Sequence, residues 1–600
     1  MTRFPLAALV LSLAAARAVT AQEAPVSAPV TGMRYEVSAM RAQLAQRMLG
    51  VSTSFDVGSS APVLLSLPAW TPGAYEIGNF ARNVSEFAAK QDGVELQWDK
   101  VDKDTWRVRP SKGGRVTVTF DYAADSLDNA MAWAKPDFVL FNGTNLFMYP
   151  EGRPLDFAAS VAIRTEKEFL VATSMSSTGA HAYRAANYHD LVDMPVFVGV
   201  FDLDSARISG KTVRYATYPA GSVHTQARTE AWDQLKRIIP VESSVFGETP
   251  WDSYTLMQIA DTTYGGYSGL EHSASHVDIV APGFIGSDAQ PSLYAHEIFH
   301  SWNVKRLRPA DLVPYRYDRE QPTTWLWVSE GITDYYADLA MMRAGIVDQA
   351  GFMALTAAKM AEIAATAPFA VEDASLNTWM HPTDGTEYSY YPKGSLLGFM
   401  LDIAIRDASD NKRSLDAVMR ELYDATYKKG RGFTHDDFWG AVKRASNGKD
   451  YTEFERMFVD GRDPLPWVST LASAGLRLVP DSTPRIGVST ALDPQGDVRV
   501  MEVTPGSAAA SAGVLVGDAL VKVGEVDVKD GDFGAKLRLQ YAGRQAGSPL
   551  PIVVKRGTGT LTLPGVLAYV AGTPRIIEDP DAPPKAVRVR SGILRGTVDR

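Results

Sequence analysis

The stretch "YAHEIFHSWNVKRLRP", Tyr294 to Pro309, sets His296, Glu297 and His300 in the order H-E-x-x-H. On a helix, residues four apart return to within about 40° of one another and lie roughly 6 Å apart along the axis, so both imidazoles can grip one ion. Glu297 points some 100° further round, where it reaches water at the metal without ligating it. That is the placement of a general base. With nine His in 600 residues, chance produces this pattern in about one chain of this length in a hundred, so the rest of the chain must support it.

Composition frames the search. Six hundred residues are too many for one core and imply roughly three or four domains. The chain is 45% hydrophobic and 22% charged with a net charge of -10, and its pI near 5.5 gives no electrostatic case for a nucleic-acid partner. It contains no Cys, which excludes disulfides, thiolate catalysis and Cys-ligated zinc. Any transition metal must be held by His and carboxylate.

The opening "MTRFPLAALVLSLAAARAVTAQEAP" has Arg3, an apolar run from Phe4 to Ala16 and small residues up to Ala21. It reads as a secretory signal over 1–21, too short and Ala-rich for a good membrane span. No later stretch approaches 18 uninterrupted apolar residues, so the mature protein is expected to be exported without a membrane anchor, and a Cys-free chain suits a bacterial periplasm.

From about 30 to 225, short alternating runs such as "GGRVTVTFDYAAD" and "KTVRYATYPA" predict a β-rich domain. From 226 to 470 the period turns helical, with "QARTEAWDQLKRIIPVESSVFG", the H-E-x-x-H segment, "TTWLWVSEGITDYYADLAMMRAGI" and four further helices, and with two strands, "SYTLMQIA" and "SHVDIVAP", before the motif. The expectation is a small mixed sheet followed by a helical bundle, within a multidomain α+β protein. After "DGRDPLPW" the texture is β again, from 471 to 571, and the last segment, 572–600, mixes Pro and charge and reads as a loosely held tail.

A catalytic zinc with two His needs a third protein ligand and keeps its fourth position for water. Glu330, in "WVSEGITDYYADL", is the candidate: it lies on the next expected helix among Trp327, Val328, Ile332, Tyr335 and Tyr336. Asp334, one turn later, is placed to accept the free N–H of a metal-bound His and fix its tautomer. Zinc, one per chain, is inferred from ligand type; cobalt or manganese could take the same ligands.

Two resemblances follow from these motifs. "HEIFHSWN" with Glu330 and Asp334 resembles the gluzincin (thermolysin-like) metallopeptidases. With "LPAWTPGAYEIGNFARNV", "GGYSGLEHSAS", "WNVKRLRP" and "YYPKGSLLGFMLD" added, the chain resembles the glycyl aminopeptidase family, many of whose members carry a PDZ domain. Arg485 to about Ala568 is similar to a bacterial-type PDZ domain, with the loop Arg485, Ile486, Gly487, Val488, the turn "TPGSAAASAG" and "GD" before a strand. PDZ grooves take an extended peptide by strand addition and hold its C-terminal carboxylate on backbone N–H groups of such a loop.

The resemblance implies that His296, His300 and Glu330 bind zinc, that Glu297 takes the proton of the attacking water and delivers it to the leaving amine, and that Tyr391 of "YPKG" stabilises the oxyanion. Pro392 departs from the related "YEKG", and Tyr390 is the alternative donor. Glu271, with Gly269 in "SGLEH", falls where related aminopeptidases bind the substrate's α-ammonium, and Gly or Ala at the first position is what the family implies. Lys305, Arg306 and Arg308 read as a solvated face or internal ion pairs ahead of a substrate contact. Two other readings stay open: a zinc endopeptidase in which Glu271 is idle, and a PDZ peptide-binding module whose zinc fold is a scaffold.

Overall fold

The computed structural model describes residues 25–599 apart from Asp481, Pro494, Gly531, Asp532, Ala542, Gly543 and Thr573. The expected signal segment lies outside the described residues.

Alternation builds the first unit. In Met48–Val57 every second side chain is buried, Leu49, Val51, Phe55 and Val57 among them, and Gly114–Ala123 buries Val116, Val118, Phe120 and Tyr122 with the same period. The two strands run antiparallel with Val51 opposite Phe120, inside an eight-stranded sheet accompanied by two four-stranded ones. This unit closes at Phe201, with the short return Tyr317–Glu320 added to it. The expected boundary near 225 is therefore too late. Lys211–Tyr218, read as part of the β-rich domain, pairs in parallel with Ser253–Ala260 and so belongs to the second unit.

The second unit begins with a five-stranded mixed sheet. Lys211–Tyr218, Ser253–Ala260 and Ser275–Val280 lie parallel at its centre, and Asp202–Ile208 and Tyr267–His272 run antiparallel at its two edges. The central strands read as unbroken buried runs, Tyr254 to Ile259 and Ser275 to Val280, as parallel strands covered on both faces do. The crossover between the first two parallel strands is the helix Thr225–Phe246, which buries Ala227, Ala231, Leu235, Ile238 and Ile239 and stops at Gly247 with φ 83°. There a residue without Cβ adopts the left-handed turn at no cost.

The helical part follows as expected: Gln290–Phe299, Thr333–Arg343, Gln349–Ala365, Tyr390–Ala408, Leu415–Ala425 and His435–Ala445. Beyond it, Leu476–Val479 pairs antiparallel with Arg575–Glu578. Between those two strands the chain makes a separate β-sheet with the helices Ala508–Ala512 and Phe533–Tyr541, around a core of Ile486, Val500, Leu520, Val523, Leu537, Ile552 and Val554.

The final segment corrects the expectation of a loose tail. Pro584–Arg595 is a helix that buries Ala586, Val589, Ile593 and Leu594, and Pro583 and Pro584 start it at positions where no N–H is needed. Its end is tied down, since Arg406 Nη1 donates to Thr597 O at 2.7 Å and Asp599 N to Asn411 O at 2.8 Å. Among the described residues no helix is long and apolar enough to cross a membrane.

Candidate metal centre

The motif helix Gln290–Phe299 is buried along almost its whole length, including Leu293, Tyr294, Ile298 and Phe299, and it ends at His300. His300 Nδ1 lies 2.6 Å from Asn303 O. A carbonyl can only accept, so Nδ1 carries the proton and Nε2 turns a lone pair inward. Asn303 in turn donates from Nδ2 to Val328 O at 2.8 Å and to Thr333 Oγ1 at 3.0 Å, which fastens the turn after the motif to the segment that carries Glu330.

His296, His300 and Glu330 bring one ligand atom each to a common point. His296 Nε2 and His300 Nε2 are 3.0 Å apart, and Glu330 Oε2 is 3.1 Å from His300 Nε2 and 3.5 Å from His296 Nε2. Tetrahedral zinc with ligand bonds of about 2.0–2.1 Å would hold its donors roughly 3.3 Å apart. The residues present fit that ion. Burial would raise the Glu330 carboxyl, but His300 and His296, when protonated, hold it well below the usual range by charge and by hydrogen bond, so it stays anionic as a ligand must.

Glu330 sits on a single π-turn, Trp327–Ile332, that runs into the helix Thr333–Arg343. Its neighbour Gly331 faces Gly394 on the helix Tyr390–Ala408. A Cβ on Gly331 would meet Gly394 Cα at 2.5 Å, and one on Gly394 would meet Trp327 O at 2.6 Å. Two missing side chains thus let the Tyr391 helix lie against the ligand segment. Gly394→Ala is expected to destabilise the catalytic unit by about 1–3 kcal/mol through overpacking. Urea denaturation checks this against Gly58→Ala, where nothing lies within 4 Å of the added carbon; equal transitions in the two variants would contradict the close approach.

Glu297 is buried beside the ligands and its Oε2 has no hydrogen-bond partner. Burial, with the charges of Asp278, Glu271 and Glu330, pushes its carboxyl well up, against the opposing pull of His296. A carboxyl raised in this way holds a proton more readily than a free one, as a group that takes and returns a proton must. Gly269, on the edge strand Tyr267–His272, makes room for it: a Cβ there would lie 2.1 Å from Glu297 Oε1.

Glu271, on the same strand, is buried, and its Oε1 accepts no hydrogen bond but lies 3.5 Å from Lys305 Nζ. The basic run is therefore internal. Arg306 donates to Ser273 O, Ser301 O and Pro250 O, and the Arg308 guanidinium stacks 4.4 Å above the Tyr315 ring. Of the two tyrosines, Tyr390 shares a 3.1 Å hydrogen bond with Thr378 Oγ1, whereas the Tyr391 ring lies 5.8 Å from the His296 ring. Burial, then the Glu330 charge, keeps the Tyr391 phenol protonated as a hydrogen-bond donor.

Two family models match this chain: the peptidase M61 N-terminal domain over residues 34–200, and the M61 glycyl aminopeptidase over residues 290–397. The second spans the motif helix, Glu330 and Tyr391. The chain is a metallopeptidase. The fold of the metallopeptidase is shared by an aminopeptidase N family protein from Idiomarina loihiensis, which is 24% identical with a TM-score of 0.72 and covers 94% of this chain and 100% of its own. An M1 zinc metallopeptidase from Deinococcus radiodurans is 15% identical with a TM-score of 0.47 and covers 74% of this chain and 96% of its own. No curated protein matches significantly.

Some of the metallopeptidase's site residues escape sequence reasoning. Beneath the motif helix, Tyr254 Oη lies 2.8 Å from His276 Nδ1 and 3.4 Å from Glu297 O, and His276 Nε2 is 3.4 Å from Asp278 Oδ2, all in the buried interior. "SHVDIV" reads as an ordinary apolar strand, although its His and Asp, two apart, share one face. The loop Arg485–Val488 lies in the C-terminal sheet region, with Gly487 at φ 78° and Ser507 Cβ 2.3 Å from where its Cβ would be.

Proposed function

We propose that this metallopeptidase is a zinc-dependent aminopeptidase that removes an N-terminal residue, glycine or alanine, from peptides. The observation that carries the reading is the convergence of His296, His300 and Glu330, with Glu297 and Glu271 both buried and close enough for the Glu271 charge to act on Glu297. Bound there, zinc supplies Lewis acidity that polarises the scissile carbonyl and acidifies water. Glu297 takes the proton of the attacking water and passes it to the leaving amine. Tyr391 donates to the oxygen on which negative charge develops. Asp334, 3.9 Å from His296 Nδ1, orients that ligand.

Glu271 supports exopeptidase action, because its buried carboxylate, shared with the Lys305 ammonium 3.5 Å away, would accept a charge-assisted hydrogen bond from a substrate ammonium, worth on the order of 1.5–3 kcal/mol. Glu271→Ala is accordingly expected to lower kcat/KM for free-amine substrates about ten- to a hundredfold and to narrow the gap to N-acetylated ones. Paired assays of a glycyl or alanyl substrate and its acetylated form check this. A wild-type enzyme that cleaves an N-blocked peptide internally as fast as it trims a free end would favour the endopeptidase reading.

The C-terminal sheet supports a PDZ reading. Its edge strand Val488–Leu492 and the helix Phe533–Tyr541 flank a groove of about 930 Å3 that the loop Arg485–Val488 lines at one end. A peptide adding to that edge would reach the loop with its C-terminal carboxylate. The leader over 1–21 and the Cys-free composition support export to a periplasm.

A further inference from the structure

Asp334 does not reach toward His296 unaided. The helix Gln349–Ala365 sends Lys359 into the space behind it, and the ammonium, on a side chain 15% exposed, lies 2.6 Å from Asp334 Oδ2 and 2.6 Å from Asp338 Oδ2. It also donates to Ser395 Oγ at 3.0 Å, one turn beyond Tyr391 on the helix Tyr390–Ala408. The two acids stand one turn apart on the helix Thr333–Arg343, which follows Glu330 directly. One cation therefore joins the acid behind His296 to the helix that carries Tyr391. The oxygens of Asp334 are divided between neighbours, Oδ2 to Lys359 and Oδ1 facing His296 Nδ1 at 3.9 Å.

We propose that Lys359 is a positioning residue for the metal: by holding Asp334 Oδ2 it fixes the direction of Oδ1 and thereby the ring orientation of His296, and so sets the metal affinity of the site. The physical need is plain. Without the ammonium, Asp334 and Asp338 become two half- to fully buried carboxylates one turn apart, each repelling the other, and Asp334 has no reason to keep its rotamer. Burial works to strip the Lys359 proton, yet the two carboxylates more than offset it and hold the ammonium charged. Partners in the shell behind metal ligands commonly control affinity by tenfold or more. This inference rests on the zinc reading of His296, His300 and Glu330.

The test is the zinc dissociation constant, measured by competition with a chromophoric chelator on full-length protein whose far-UV circular dichroism matches wild type. Lys359→Met is expected to raise it about 10- to 100-fold, Lys359→Arg to restore most of the loss, and Asp338→Asn, which leaves the Lys359–Asp334 pair in place, to change it little. If Lys359 acts through Asp334, adding Lys359→Met to Asp334→Asn should weaken zinc no further; a purely structural role would make the two losses add. Should Lys359→Met fail to fold, Lys359→Gln, which lacks the positive charge that balances the two acids, gives the same comparison. A folded Lys359 variant that binds zinc as tightly as wild type overturns this inference alone. A wild-type protein that takes up no zinc overturns the metal reading and this inference with it.

Discussion

Glu297→Gln should keep about one zinc per chain and lose about 10²- to 10⁴-fold in kcat, the range assigned to a positioned general acid–base group. The amide nearly matches the carboxylate in shape, so the strand contact at Gly269, where Glu297 Oε1 occupies the space a Cβ would need, is preserved. It lacks the capacity to accept a proton. Metal content and steady-state kinetics on one preparation decide the matter. Turnover near wild type with metal retained would remove Glu297 from the chemistry, and loss of metal together with turnover would assign it a ligand-supporting role instead.

A second large effect is expected at the C-terminus. A chain ending near residue 470 loses the strand pair Leu476–Val479 with Arg575–Glu578 and the helix Pro584–Arg595. That helix buries Val589, Ile593 and Leu594, each worth roughly 1.5–3 kcal/mol on burial, and it covers groups that cannot be left bare. Arg406, fully buried, donates to Asp402 Oδ1, Asn411 Oδ1 and Thr597 O, and Arg343 donates to Ile593 O. Since Arg406 and Asp402 lie on the helix that begins with Tyr390 and Tyr391, the truncated chain should lose cooperative thermal unfolding and activity together. Replacing 480–574 by Asn-Gly is the informative contrast. Val479 and Arg575 are directly paired, so a two-residue turn closes the hairpin and the final helix stays in place. That variant should hydrolyse small aminoacyl substrates as wild type does. Loss of activity in a folded excision variant would mean that the C-terminal sheet helps to build the active site.

What the sequence disclosed divides along physical lines. The motif helix was legible because its ligands are four residues apart, and Glu330 because an acid in an apolar helix demands a reason; all three meet within ligand distance. The two strands "SYTLMQIA" and "SHVDIVAP" before the motif were legible as short β runs, and both are buried although they carry Gln258, His276 and Asp278. The edge strand Tyr267–His272 was not, since "YSGLEH" mixes Gly and polar residues that serve Glu297 and Glu271 rather than a core. The π-turn at Glu330 leaves no mark in composition, and the close Gly331–Gly394 approach beside it is made with a helix some sixty residues away in the chain. The last helix was hidden by its prolines and charges, although Ala586, Val589, Ile593 and Leu594 already carried a helical stripe. Lys359 could not be found from sequence at all: a lysine on an amphipathic helix is ordinarily solvated, and only the fold turns this one toward Asp334.

The central claim is the identity and position of the metal, and zinc-edge anomalous diffraction from crystals of the purified full chain tests it most directly. One peak is expected per chain, about 2.0–2.2 Å from His296 Nε2, His300 Nε2 and a Glu330 carboxylate oxygen. A zinc-replete crystal with no peak at that point, or with its peak on other residues, would contradict the account.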